Sequence, residues 1–148
     1  VVAAPHNNAV GRARKLASRL HAPLALIDRR RTEEGAVKVM NVIGEVSGKN
    51  VVMIDDMIDT ARTITVAAEA LKEKGAKTVY VGCTHPILSG DAINRIEQSS
   101  IEELVVTNTI ALPRDKQLDK ITILSVAPLL ADGINRIHHD MPVSILFE

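Results

Sequence analysis

Short apolar runs alternate along the chain with stretches whose apolar residues recur at helical spacing. Val1–Ala4 is apolar and is stopped by Pro5, which predicts a strand. From Asn8 to Leu20, Val10, Leu16, Ala17 and Leu20 share one helical face, while Arg12, Arg14, Lys15 and Arg19 fall mostly elsewhere. Leu24–Ile27 is the next apolar run and ends in Asp28 and three arginines. The polar segment Thr32–Gly35 predicts a mobile loop, and Val37–Ile43, with its imperfect alternation, an edge strand. Gly48 ends a turn before the apolar strand Val51–Ile54. Thr60–Lys74 is Ala-rich and helical in pattern, with Gly75 as its stop. Val79–Gly82 predicts a strand and Ser89–Gln98 a helix. Leu104–Thr107 and Ile121–Leu124 predict strands flanking a polar stretch, Val126–His138 a last helix, and Val143–Phe147 a short extended tail.

Strands alternating with helices of this length imply an α/β fold with a mainly parallel central sheet and helices on both faces. Val1–Ala4, Leu24–Ile27, Val51–Ile54 and Val79–Gly82 lack alternation, as expected of strands buried on both sides. A small flap hairpin is expected between Val37 and Lys49. In such sheets ligands bind beyond the carboxyl ends of the strands. The residues just after each strand are therefore the first candidates for function.

Composition narrows the field. The chain has 148 residues, which fits one domain, residues 1–148, with a sizeable core; 46% of them are hydrophobic, which argues against disorder. Lys+Arg 18 balance Asp+Glu 18, so no net charge favours a nucleic-acid partner. Tyr80 and Phe147 are the only aromatics among Phe, Tyr and Trp, too few for base stacking. No apolar run reaches the roughly 20 residues a membrane helix needs. The single Cys83 excludes an internal disulfide and a cysteine metal site, and points to a reducing, cytoplasmic compartment. The first residue is Val1, and VVAAP reads as a strand already under way, so the chain is expected to be a piece of something longer or a processed product.

After Val51–Ile54 comes Asp55-Asp56-Met57-Ile58-Asp59-Thr60-Ala61-Arg62-Thr63. Two carboxylates leave a buried strand, and a loop of small and hydroxyl residues opens a helix. That chemistry suits a phosphorylated sugar. Carboxylates accept hydrogen bonds from vicinal hydroxyls, and the N–H groups at a helix start hold a phosphate. Thr60 and Thr63 add hydroxyl donors. An Asp pair alone is more often a solvated strand end, with Thr60 a helix cap.

The string VVMIDDMIDTART resembles the phosphoribosyl-pyrophosphate (PRPP) motif of type I phosphoribosyltransferase folds, in the wording of the ribose-phosphate diphosphokinase (PRPP synthetase) family. IDRRR followed by VMNVIGEV, the stretch CTHPILSGDAINRIEQSSIEELVVTNTI, LSVAPLLADGINRIH and VSILFE are similar to further blocks of that family, in order. The resemblance implies transfer of pyrophosphate from ATP to the 1-hydroxyl of ribose 5-phosphate, giving PRPP and AMP, with Mg²⁺ as cofactor. It implies that Asp55, Asp56, Asp59, Thr60, Ala61, Arg62 and Thr63 hold ribose 5-phosphate. Arg29 stands at the family's catalytic Lys, and Arg31 at a second cation that contacts substrate; both lie at the base of a flexible loop that closes over the phosphates. Cations there would neutralise the transferred group. It also implies a homo-oligomer, often a hexamer, and an effector site for phosphate or nucleotides near Ser144 and Phe147.

Departures fall at the chemistry. The family's SPD-x-GG appears as Ala4-Pro5-His6-Asn7-Asn8-Ala9, so the metal-binding Asp position holds His6, a poor ligand for hard Mg²⁺. Arg62 replaces the phosphate-loop Gly; if that position needs positive φ, Arg is strained by about 1–2 kcal/mol. The resemblance covers only a C-terminal domain, half of the family's length, and lacks the half that supplies most of the ATP pocket. Two readings follow: the ribose-5-phosphate half of the enzyme, or a catalytically degenerate relative acting as a regulatory or assembly subunit. A phosphorylated signalling receiver, which also carries an Asp pair, ranks below both because here the pair follows an internal strand. His85, Cys83 and His138-His139 read as structural or solvated residues.

Overall fold

The structure, a computed structural model, describes residues 1–31 and 37–147; the side chains of residues 29–31, 37–40 and 115 fall outside that description, as does the expected loop Thr32–Gly35. Among the described residues, seven strands form one sheet: β1 (Val2–Ala4), β2 (Leu24–Arg31), β3 (Val37–Ile43), β4 (Asn50–Ile58), β5 (Thr78–Pro86), β6 (Glu103–Thr107) and β7 (Ile121–Leu124). Their order is β3-β2-β1-β4-β5-β6-β7. All neighbours run parallel except β2 and β3, which pair antiparallel with a register shift between Asp28 and Arg29. The hairpin is thus β2–β3 itself, not a flap between Val37 and Lys49, because β3 finds its partner behind it in the chain. β3 leads into Gly44, at φ +115°, where a Cβ would sit 3.1 Å from the Ala25 Cα and the Leu24 carbonyl. Only glycine fits that close approach.

Helix α1 (Val10–Arg19) covers one face of the sheet, and α2 (Arg62–Glu73) and α3 (Ala92–Gln98) cover the other. The α1 side is a small cluster of Ala13 and Ala17 on Val2 and Ala4. The α2 side is the main core, where Ile64, Ala67, Ala68 and Leu71 meet Ala25, Met53, Val79 and Val81. Burial therefore alternates along β4 and β5, with Val51, Met53, Val79 and Val81 buried and their neighbours half-covered. Only β1, at the centre, is buried on both faces throughout, as its unbroken apolar run predicts.

Two further expectations change. The strand predicted at Val51–Ile54 runs on to Ile58 because β5 continues beside it, pairing Met57 with His85 and Ile58 with Pro86. The Asp pair is inside a strand and not beyond it. The tail expected to be extended, Val143–Phe147, is a 3-10 turn at Ser144–Phe147, since β7 offers it no pairing. It follows α4 (Ala127–His138), none of whose residues is buried. No helix among the described residues is long and apolar enough to cross a membrane.

Candidate functional site

The chain runs from β1 outward to β2 and β3, then returns to place β4 on the other side of β1. The order reverses between β1 and β4, and open α/β sheets hold their ligands at the carboxyl ends of strands at such a reversal. His6 follows β1 there, and Asp55 lies near the end of β4. A cavity of about 230 Å³ opens between them, lined by His6, Asp55, Met57 and the segment Ile58–Ile64. That is below the roughly 300–1,000 Å³ typical of drug-sized ligands, so it suits a small polar one.

Strand alternation sends Asp55 and Asp56 to opposite faces. Asp55 is 5% exposed, buried among core side chains, and each of its carboxylate oxygens has a partner. The His6 Nε2 lies 2.7 Å from Oδ2, while Oδ1 accepts from the Asp56 backbone N–H at 3.0 Å and from Arg12 Nη1 at 3.4 Å. Arg12, on α1, also reaches Asp56 Oδ2 at 2.5 Å. This guanidinium holds the Asp56 carboxyl below its ordinary value of 3.8. Buried charges need such partners, and Asp55 is the only charged residue buried among the described residues.

The loop after β4 turns sharply into α2. Ala61 is left-handed at φ 59°, and Arg62 begins the helix with its side chain exposed at the cavity rim. The strain anticipated at Arg62 therefore sits one residue earlier. Thr60 does not cap α2, which starts with no side-chain cap at Ala61. The first turn of the helix lines the cavity, which presents an anion with backbone N–H groups and the positive end of the helix dipole. Two side-chain contacts hold the loop from α3 and the turn before it. Ser89 Oγ donates to Asp59 Oδ1, and Arg95 Nη1 donates to the Thr60 carbonyl at 2.9 Å. Sequence spacing gave no sign of Ser89 or Arg95, which lie 30 and 35 positions from their partners.

Asp55, Asp59, Thr60, Ala61, Arg62, Thr63 and His6 thus come together on one cavity. Asp56 does not line it and is paired with Arg12. Arg29 and Arg31 sit on β2, opposite Val39 and Val37 of β3; their side chains are outside the described residues. Ser144 and Phe147 lie elsewhere: Phe147 lines an apolar cavity with Leu129, Leu130 and Ile134 of α4, and its carbonyl accepts from Arg19. Cys83 is buried, and burial pushes its thiol up to about 11. His85 Nδ1 bonds to the Thr109 hydroxyl at 2.9 Å.

A divalent cation held directly between His6 and Asp55 does not fit their donor set. Mg²⁺ takes an octahedron of oxygens. Asp55 has both oxygens occupied, His6 offers nitrogen, and no group of three acidic, His or Cys side chains among the described residues could hold a metal.

The chain is similar to known proteins over its whole length. Residues 31–148 match the family described as phosphoribosyl synthetase-associated domain. The whole chain is 57% identical to the ribose-phosphate pyrophosphokinase of Bacillus caldolyticus, covering 47% of that protein, and 99% of it is 54% identical to the Bacillus subtilis protein of the same name. The chain spans about half the length of the curated relatives it matches. The C-terminal placement implied by the resemblance is not confirmed by these matches. Among solved structures, the phosphoribosylpyrophosphate synthetase of Mycobacterium smegmatis superposes with a TM-score of 0.85 at 38% identity, over 94% of this chain and 45% of that one. A purine phosphoribosyltransferase of Pyrococcus horikoshii, at TM-score 0.50 and 21% identity over 84% of this chain and 74% of that one, shares the fold.

Proposed function

The chain belongs to the phosphoribosyl synthetase-associated domain family, and from that premise we propose that it is the ribose-5-phosphate-binding half of a ribose-phosphate pyrophosphokinase. The observation that carries this reading is the cavity joining an uncapped helix start to a buried carboxylate. The sugar phosphate sits with its 5-phosphate against the 59–63 loop and the first turn of α2, where backbone N–H groups and Arg62 meet it. The ribose hydroxyls face Asp55 and His6, with Asp56 and Arg12 behind them.

The reaction supported is attack by the sugar's 1-hydroxyl oxygen on the β-phosphorus of ATP. The new O–P bond forms as the bond from the β-phosphorus to the bridging oxygen breaks, and AMP leaves with that electron pair. The products are PRPP and AMP, and the hydroxyl proton passes to solvent. This chain's residues bind and orient the sugar; proximity of that kind supplies much of the acceleration in phosphoryl transfer. Arg29 and Arg31 are the cations proposed to face the transferred group. ATP would reach the site chiefly through a second domain or subunit, in a homo-oligomer.

Titration calorimetry of the 148-residue chain with ribose 5-phosphate tests the reading. Saturable binding, competed by inorganic phosphate, is expected. A second reading is a non-catalytic regulatory or assembly relative, favoured by the His6–Asp55 pair inside the cavity. Absence of binding by a folded sample overturns the first reading in favour of the second.

A further inference from the structure

His6 leaves β1 at the reversal point and turns its ring onto the one buried carboxylate there, with 16% of its side chain exposed. We propose that this imidazole occupies the place of a divalent cation, so that the pocket takes a sugar phosphate without any divalent metal. The proposal rests on the sugar-phosphate reading above and deepens it.

Three observations carry it. First, the Asp55 carboxylate has no uncommitted oxygen: one faces His6 at 2.7 Å, and the other accepts from the Asp56 N–H and Arg12. A metal bound directly to Asp55 would compete with these partners for the remaining lone pair of Oδ2, on a residue that is 5% exposed. Second, His6 meets the cavity with an N–H edge or a nitrogen lone pair, and hard Mg²⁺ selects neither over water and carboxylate oxygen. Third, the positive charge a bound phosphate needs is already built in at the other end of the cavity. Arg62 and the twelve-residue helix α2 point there with no side-chain cap intervening. The ring and the guanidinium of Arg12 satisfy the buried carboxylate, and Arg62 with α2 satisfies the ligand.

The test uses the 148-residue chain and two probes. Paramagnetic Mn²⁺ alone is titrated while backbone amide signals are followed by NMR. The wild-type protein is expected to show no broadening confined to residues 6–8 and 55–60. The His6→Asp variant, checked for folding by circular dichroism, is expected to show it. Broadening of those signals in the wild type overturns the proposal, and that measurement needs no variant. Calorimetry with ribose 5-phosphate is then run in EDTA and in Mg²⁺. Dissociation constants agreeing within about twofold support metal-independent binding, and binding about tenfold weaker in EDTA overturns it. No binding in either buffer overturns the sugar-phosphate reading, and metal-independent uptake of the sugar with it; the Mn²⁺ titration still decides separately whether His6 excludes the metal.

Discussion

Asp55 and Asp56 are neighbours in sequence with opposite circumstances, and Arg12 serves both. Asp55 points into the core side of the sheet and is held by three donors. Asp56 faces the α1 side, 57% exposed, and depends on Arg12 for its low pKa. Arg12→Gln should return the Asp56 carboxyl upward toward 3.8, read from a ¹³C titration of the carboxyl carbon. The sign for stability follows from a folded pKa below the unfolded one. The pair's stabilisation is complete above 3.8 and is lost as pH falls through the depressed native value. The urea midpoints of wild type and Arg12→Gln should therefore converge in acid below that range. The gap at neutral pH should be small, because so exposed a carboxylate is screened by solvent. Equal Asp56 titration in both proteins would remove Arg12 as the cause.

At the scale of elements, the turn from β4 into α2 concentrates the backbone strain of the site. Ala61 is both left-handed and 4% exposed, so it has neither conformational nor spatial freedom. Ala61→Val should cost about 2 kcal/mol in urea unfolding, since a β-branched side chain is disfavoured at positive φ and the space around it is filled. Arg62→Ala, one residue on but helical and exposed, should cost under about 0.5 kcal/mol. Equal losses at the two positions would contradict the backbone assignment. Here the sequence was only partly legible. The run VVMI announces a strand, but its continuation through Asp55–Ile58 depends on β5 lying alongside, which local pattern does not contain. The antiparallel partner of β3 and the 3-10 form of Ser144–Phe147 escaped for the same reason. The motif residues 55–63 were legible because they are contiguous. The His6–Asp55 pair, 49 positions apart, emerges only when β1 and β4 are seen side by side.

For the molecule as a whole, the distribution of apolar surface divides the chain into a packed body and an appended arm. The sheet, α1, α2, α3 and the turns that join them hold all the buried apolar side chains among the described residues, while α4 holds none. Ile134 and Ile137 are 69% and 70% exposed, one helical turn apart, although their spacing alone reads as a core-facing stripe. A hydrophobic side chain stabilises a fold only by the area it removes from water. Replacing both with lysine should therefore leave the urea midpoint of this chain within about 0.5 kcal/mol of wild type. Leu71→Ala, deep in the α2 core, should cost about 2–5 kcal/mol in the same assay and serves as the contrast. A large loss in the double-lysine protein would mean that α4 packs onto the body in solution and that the exposed face belongs to the fold. The expected result places the stability of the sheet, and of the cavity at its reversal point, in the body alone.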